Sequence, residues 1–288
     1  KALAEKGDAE AQYRLGNIYE NISQLTDDIT ESVRWSHMSR QWYDKSAEQN
    51  NSKAQYALGN IYFRGIGTDV DEKEALKWWG KAAENGNIWA QHNTGYCFLK
   101  AIGCERDFKL AAKWFRLAAE KGVTRSQTEL ANLTLTGLGG IPKNVKQAID
   151  LYSKSIAKGD TYAMAMLGGV LANGTFGVPK DLSRGNELIK KAAHGGSALA
   201  QVTLGYQLAN GLGFNQDLVS AYAWTSLGSR RSSEKKYAAN LKLLALQMSP
   251  EEILKGQKLA NELAEKITPQ KKKSTHGFKF NAPEINPR

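Results

Sequence analysis

The sequence repeats itself at a nearly constant interval, and this regularity limits the folds open to the chain more than any other feature. A short motif centred on a Leu-Gly pair returns in steps of 36, 36, 37 and 37 residues. The five landmarks are Leu58-Gly59, Thr94-Gly95, Leu130-Ala131, Leu167-Gly168 and Leu204-Gly205. A unit this short cannot bury its own apolar side chains, so neighbouring copies must stack and share one continuous core.

Each copy predicts two helices joined by a glycine-bearing turn. In the second copy, Gly65 begins the turn and Asp71 is placed to cap the helix that follows. Ala75 and Trp78 then fall four and seven residues after Asp71, a spacing that shares one helical face, and Gly86 ends the unit. The repeat therefore predicts an all-α protein, a right-handed α-solenoid superhelix of helix-turn-helix units.

The first copy is longer, since Leu15 and Leu58 are 43 residues apart. The additional seven residues equal two helical turns, so residues 27–39 form either a helix extension or a longer surface loop. Residues 1–7 read as the end of a helix that started earlier, so we expect the native chain to begin before Lys1 and any targeting segment to lie outside this sequence. We predict three parts: six repeats over 1–228, capping helices over 229–267 and a basic extended tail over 268–288.

The repeat resembles a known family. The second copy reads SKAQYALGNIYFRGIG from residue 52 and DEKEALKWWGKAAENG from residue 71. This pattern is similar to the Sel1-like repeat, a relative of the tetratricopeptide repeat, and six copies cover roughly residues 7–228. The copies depart from it at Thr94, Ala131, Leu151 and Leu188, which we interpret as tolerated core exchanges.

The resemblance implies a non-enzymatic scaffold of bacterial type that binds a partner protein. It also implies an extracytoplasmic location (periplasmic, outer-membrane or secreted) and a role of the kind seen in envelope biogenesis, signalling or host-cell entry and virulence. It does not identify the partner.

The first helices of the repeats are expected to line the concave side of the array. Their free face combines aromatic side chains, which offer rigid contact area, with asparagine amides that pair with a peptide backbone. The predicted partner-binding residues are Tyr13, Asn17, Lys53, Tyr56, Asn60, Trp89, His92, Tyr96, Arg125, Asn132 and Tyr206. Tyr13 and Tyr56 have an equal alternative, because this repeat family often keeps an aromatic residue there for packing.

The charge offers a second hypothesis. The formal net charge is +10, and residues 225–288 hold 13 basic and 6 acidic side chains, so most of the excess lies at the C-terminal end. Lys271, Lys272, Lys273 and Lys279 lie close to two phenylalanines and are candidates for binding an anionic membrane surface, including phosphoinositides. The alternative is a solvated tail, and nucleic-acid binding is not expected.

No catalytic or metal-binding pattern stands out. The four histidines form neither HExxH nor a Cys/His spacing, so we expect no enzyme activity, metal or cofactor. Cys97 and Cys104 do not occupy the joint between units where some family members carry a disulfide. We read them as buried or half-buried thiols, with a bridge inside the third repeat as the alternative.

Overall fold

The computed structural model describes residues 1–232 and 234–267, and this part of the chain contains helices and no strand. It divides into two compact units, residues 1–151 (unit 1) and 152–288 (unit 2). The helices before the boundary are α1 Ala2–Glu5, α2 Ala9–Leu25, α3 Ile29–Glu48, α4 Ser52–Arg64, α5 Glu72–Glu84, α6 Ile88–Lys100, α7 Phe108–Glu120 and α8 Thr124–Thr136, followed by a 3₁₀ turn at Leu138–Gly140. Helix α9, Val145–Ala157, crosses the boundary between the units. It is followed by α10 Thr161–Asn173, α11 Leu182–His194, α12 Ala198–Ala209, α13 Leu218–Arg230, α14 Lys235–Ala245 and α15 Pro250–Ile267. The predicted all-α solenoid class is confirmed.

Polar caps define where the helices begin. Asn51 caps α4 by accepting hydrogen bonds from the backbone N–H groups of Lys53 and Ala54, and Asp71 caps α5 by accepting from Glu74 N. Helix α4 ends at Gly65, whose φ of 66° is left-handed and therefore favours glycine. These local signals recur along the chain, so most hairpins start and stop at equivalent residues.

The core of each hairpin in unit 1 is an aromatic ring set against glycine. The repeat predicts Trp78, seven residues after Asp71, as the core aromatic residue, but the following residue is buried more deeply. Trp79 is 2% exposed, and Phe115, at the same position of the next hairpin, is fully buried. A Cβ atom added to Gly59 would collide with the Trp79 indole, so only glycine lets the two helices come this close. Trp78 instead lies part-buried beneath the Lys81 ammonium group, 4.5 Å from its ring centroid.

A buried glutamine joins each repeat of unit 1 to the one before it. The amide nitrogen of Gln55 donates to the carbonyl of Ala47 at 3.1 Å, and that of Gln91 donates to Ala83 at 3.2 Å. Gln12 and Gln127 make the same contact with the residue eight positions earlier. The bond fixes the end of one second helix against the next first helix.

The extra residues of the first copy extend its helices. Helices α2 and α3 have 17 and 20 residues, whereas α4 to α7 each have 13. The two extensions pack through small polar groups: the hydroxyls of Ser23 and Ser36 lie 2.7 Å apart, and the Ser32 hydroxyl donates to the Ser23 carbonyl at 2.9 Å. The helix alternative was therefore correct for this segment.

In unit 2, helices α14 and α15 cover α13. Gly256 of α15 lies against Tyr222, and Leu259 and Leu263 pack on the cluster that contains Trp224 and Leu227. Ser249 and Glu252 form a reciprocal cap at the start of α15, with Glu252 accepting from Ser249 N at 2.8 Å. Within the described ranges, no helix is both long and apolar enough to cross a membrane.

Candidate functional site

The most accessible predicted residues form a row at the starts of the first helices of unit 1. Lys53, Trp89 and Arg125 are each the second residue of their helix, α4, α6 and α8, and each is exposed. Trp89 stands in the middle of this row and is 55% exposed. An indole this open to water, with a cation in the same place on each neighbouring repeat, is a suitable anchor for another protein.

Glu10 extends this row onto α2. Its carboxylate pairs with Lys53 at 3.2 Å and with Arg14 at 3.1 Å, while the Lys53 ammonium group lies 5.6 Å from the ring centroid of Tyr13. Burial alone would raise the pKa of Glu10, but the hydrogen bonds from Arg14, Lys53 and Asn51 lower it overall. The carboxylate is thus held in its ionised form by the cations around it.

A second row of predicted residues lies three positions further along the first helices and consists of Tyr13, Tyr56 and His92. Its side chains serve packing more than contact with solvent. Tyr13 lies 5.8 Å from the ring of Tyr43, and Tyr56 packs among the core clusters around Trp79 and Trp114. Burial raises the pKa of both Tyr13 and Tyr56. These contacts favour the packing role that was the alternative for both residues.

His92 belongs to the same row and joins two repeats. Its Nδ1 atom lies 2.8 Å from the Ser126 hydroxyl on α8, and its ring lies 5.6 Å from that of Phe115. Burial, followed by the nearby Arg125 guanidinium, lowers the pKa of His92 to about 4. The imidazole is therefore neutral at pH 7 and acts in packing and hydrogen bonding.

A third row lies four positions beyond the second and consists of three asparagines and one tyrosine: Asn17, Asn60, Tyr96 and Asn132. Asn60 accepts from the Trp79 indole N–H at 3.2 Å, and Asn17 accepts from the Asn21 amide at 3.1 Å. Tyr96 is part-buried and lies 6.4 Å from the His92 ring. Asn132 donates to Glu129 at 3.2 Å. Ten of the predicted residues thus share one face of unit 1, here called the candidate face.

Tyr206 lies in unit 2 and is described by itself. Its side chain is 60% exposed on α12, while the neighbouring Val202, one turn earlier, is 7% exposed. It is the single aromatic residue of α12.

Glu129 is a residue of this face that the sequence analysis did not identify. This carboxylate is 7% exposed, lies 3.9 Å from Arg125 and accepts from Asn132, so it orients two predicted binding residues from behind. Its position corresponds to Arg14, Ala57 and Asn93 in other copies, which range from exposed at Arg14 to buried at Asn93. Only the unusual presence of an acidic residue there could have drawn attention to it.

Other predicted features have mixed outcomes. Lys271, Lys272, Lys273 and Lys279 lie outside the described residues. Cys97 is buried and Cys104 part-buried; within the described chain both are free thiols, and burial raises the pKa of each. The described residues hold no group of three or more His, Cys, Asp or Glu side chains that could bind a metal ion.

Comparison with known proteins agrees with this architecture. The family model described as Sel1 repeat matches six consecutive segments, residues 9–51, 52–87, 90–123, 124–160, 161–197 and 198–233. The chain belongs to the Sel1 repeat family. Proteins of this family are generally protein-interaction scaffolds, and they are typically not enzymes.

Two solved structures illustrate the similarity. A Sel1 repeat protein from Oxalobacter formigenes is 29% identical, with a TM-score of 0.67 over 77% of this chain and 85% of that one. The protein c5321, a protective antigen present in uropathogenic Escherichia coli strains, is 26% identical, with a TM-score of 0.50 over 96% of this chain and 74% of its own. No curated protein matches the chain in sequence.

Proposed function

We propose that this Sel1 repeat protein binds a partner protein or extended peptide on the candidate face of unit 1. The observation that carries the proposal is Trp89, an indole 55% exposed at the centre of the row formed with Lys53 and Arg125. Large aromatic residues beside arginine dominate the binding energy of many protein interfaces, and burying an indole that is already held on a helix costs little additional entropy.

The surrounding contacts support a preorganised site. Glu10 holds Lys53, and Glu129 holds Arg125 and Asn132, so both cations are oriented before a ligand arrives. Preorganisation reduces the entropy lost on binding. A ligand segment with a carboxylate or carbonyl oxygen beside an apolar side chain fits this arrangement of donors around an indole.

The test uses a displayed peptide library selected on the full chain. The variant W89A/H92A/Y96A/R125A serves for counter-selection, and a variant altered on the second helices, K73A/K109A, serves as the matched control. We expect enriched peptides to bind the wild type and the control equally, and the fourfold variant at least about tenfold more weakly. Equal binding to all three proteins, with unchanged helicity by circular dichroism, contradicts the proposal.

An extracytoplasmic role in host interaction is part of the same proposal. It is supported by the 26% identity to c5321, which is described as a protective antigen. Protease accessibility of the protein on intact cells of its source, compared with lysed cells, tests this location. Protection in intact cells that is lost only on lysis of the inner membrane contradicts it.

A second candidate function is binding to anionic membrane surfaces through the C-terminal region. Lys235, Lys242 and Lys258 are exposed and form no ion pair with other described residues, which favours it. Co-sedimentation with phosphatidylserine or phosphoinositide vesicles, before and after deletion of residues 268–288, provides the test. Equal pelleting of the two forms excludes the tail lysines.

A further inference from the structure

Two separate regions of the chain expose large apolar side chains that the repeat itself does not use. Among the described residues, the large hydrophobic side chains more than 80% exposed are Leu25 at 84%, Leu246 at 83% and Ile29 at 81%. Leu25 and Ile29, together with Val33, form the hairpin tip in unit 1. Leu246, together with Leu243 and Leu254, forms the cap edge in unit 2.

The hairpin tip lies on the part of the first hairpin that its neighbour lacks. By the repeat alignment, α4 and α5 correspond to residues 9–21 and 36–48, so residues 22–25 and 29–35 extend beyond the length of the next hairpin. At the extension the helices meet through Ser23, Ser32 and the adjacent Ser36, and Trp35 stacks on Tyr19. Leu25, Ile29 and Val33 are exposed instead. A hairpin built only for its own stability would place serines outside and leucine inside.

The cap edge also exposes apolar side chains, here on the outside of an apolar core. On α14, Leu244 and Tyr237 face inward and are each 7% exposed, while Leu243 and Leu246, three residues apart, are 60% and 83% exposed. Leu254 lies one turn into α15, just after the turn that joins the two helices, and is 66% exposed. Large exposed apolar patches on a protein surface mark contact sites, and we take these three leucines as one side of such a site.

The charges around the two regions are opposite. Asp27, Asp28 and Glu31 surround the hairpin tip, and no lysine or arginine occurs between Arg14 and Arg34. In the sequence around the cap edge, Glu234 and Glu251 are already paired with Lys236 and Lys255. Lys235, Lys242 and Lys258 have no ion-pair partner among the described side chains, so the unpaired charge there is positive. Complementary charge beside complementary apolar surface favours a contact between the two regions.

We propose that the hairpin tip of one copy binds the cap edge of a second copy, so that the protein associates head to tail. The contact uses two different surfaces, and it leaves one free tip and one free cap edge on every pair. This inference does not depend on the partner proposed for the candidate face, because none of the residues involved belongs to that face.

The first experiment measures self-association of the full chain by sedimentation velocity, from about 1 μM to about 1 mM. We expect the average mass to rise with concentration, and Leu25→Asp and Leu246→Asp each to weaken association at least about tenfold. Val70→Asp, at a residue 61% exposed on a loop of unit 1, is the matched control and should associate like the wild type. A wild type that stays monomeric over the whole range overturns the proposal.

Mixing the two variants separates a head-to-tail contact from a symmetric one. The Leu25→Asp variant keeps an intact cap edge and the Leu246→Asp variant keeps an intact tip, so a mixture should form one-to-one dimers and nothing longer. If the mixture associates no better than its components, or if either substitution alone is without effect, the two regions do not bind each other.

Charge reversal tests whether the opposite charges contribute to the contact. Truncation tests whether residues 268–288, rather than a second copy, occupy the cap edge. Glu31→Lys and Lys242→Glu should each weaken association, and the combination in one chain should restore it, since the charges are again opposite across the contact. A chain ending at residue 267 should associate like the full chain. If the truncated chain associates and the full chain does not, residues 268–288 cover the cap edge and the proposal is wrong.

Discussion

The two units are built on the same repeat, yet they differ in what their helices bury and in what they expose. In unit 1 the residue opposite the helix glycine is aromatic, as with Trp79 and Phe115, whereas in unit 2 it is Ile189 or Thr225. Trp89, the second residue of its helix in unit 1, is 55% exposed, whereas the residues at the same position in unit 2, Tyr162 and Leu199, are both part-buried. The same repeat framework thus supports hairpin cores of different composition, and its first helices differ in how far their second residues reach into solvent.

The largest effect is expected from the aromatic core of unit 1. Phe115→Ala should lower the free energy of unfolding by about 3–5 kcal/mol, because the ring is fully buried against Gly95 and its removal leaves a cavity. Thr225→Ala, at the equivalent position of unit 2, should cost about 1 kcal/mol, since only a methyl and a hydroxyl are lost. Urea unfolding measures both values. Equal losses would show that the two units do not differ in their cores.

The next effect concerns pH and is confined to unit 1. His92 has its pKa lowered to about 4, first by burial and then by Arg125. Between about pH 6.5 and pH 4 the unfolded chain binds a proton at His92 and the folded chain does not, so the free energy of unfolding falls as the pH falls. We expect this to remove about 3 kcal/mol by pH 4, and His92→Gln to abolish that loss.

The measurement is urea unfolding of the wild type and His92→Gln at pH 7, 5.5 and 4. The difference between the two proteins must change with pH, and a constant difference contradicts the prediction. Arg125→Ala provides the control: it should raise the pKa of His92 in an NMR titration, because a repelling cation is removed. Unit 2 has Ala165 and Val202 at the equivalent positions and therefore no counterpart of this effect.

The glutamines that join the repeats differ in what their side-chain oxygen contacts. Among the described residues, Gln91 and Gln127 of unit 1 share the unpartnered oxygen of Gln201, whereas the oxygen of Gln55 has a partner. Gln55 donates to the Ala47 carbonyl and accepts from the Asn85 amide at 2.9 Å, so Gln55→Met should cost about 2 kcal/mol. Gln201 of unit 2 donates to Ala193, but its oxygen is buried without a partner among the described residues. Gln201→Met removes that unpaired atom together with the bond, so its cost should be below about 1 kcal/mol. A larger loss at Gln201 than at Gln55 would contradict this reasoning.

The sequence predicted the helices and most of the candidate face because both depend on local signals. Capping side chains such as Asp71 and the glycine at Gly65 determine where helices start and stop, and the periodicity then assigns Trp89 and Arg125 to the open side. It could not decide between Trp78 and Trp79, because residues seven and eight along a helix lie on adjacent sides of the core. The choice depends on how closely α5 approaches Gly59, which only the packed structure shows.

The outward apolar tip was also beyond sequence reasoning. Ser23, Ser32 and Ser36 have the spacing of a polar outer face, and nothing local indicates that they interlock while Leu25 and Ile29 point to solvent. That inversion arises because serines let α2 and α3 approach closely enough to exchange hydroxyl contacts. Glu129 could not be predicted for a similar reason. Its buried carboxylate is stabilised by Arg125 and Asn132 of the same helix, which the sequence predicts to be surface residues.

The smallest effect on stability, and the sharpest test of the contrast in recognition, is expected at Lys53. Its ion pair with Glu10 is solvent-exposed, so Lys53→Ala should change the free energy of unfolding by less than about 1 kcal/mol at low salt and by nearly nothing at high salt. Lys191, paired with Glu187 at 2.6 Å in unit 2, should give a change no larger when replaced by alanine. For stability, therefore, the two units should be alike.

For binding the two units should differ, because a cation beside Trp89 speeds encounter with a ligand carboxylate. Lys53→Ala should therefore slow the association of a selected acidic peptide and reduce the salt dependence of its rate. Lys191→Ala should leave both the rate and its salt dependence unchanged. Stopped-flow association rates at two salt concentrations measure this, and equal rates for the two variants would mean that the candidate face plays no part in recognition.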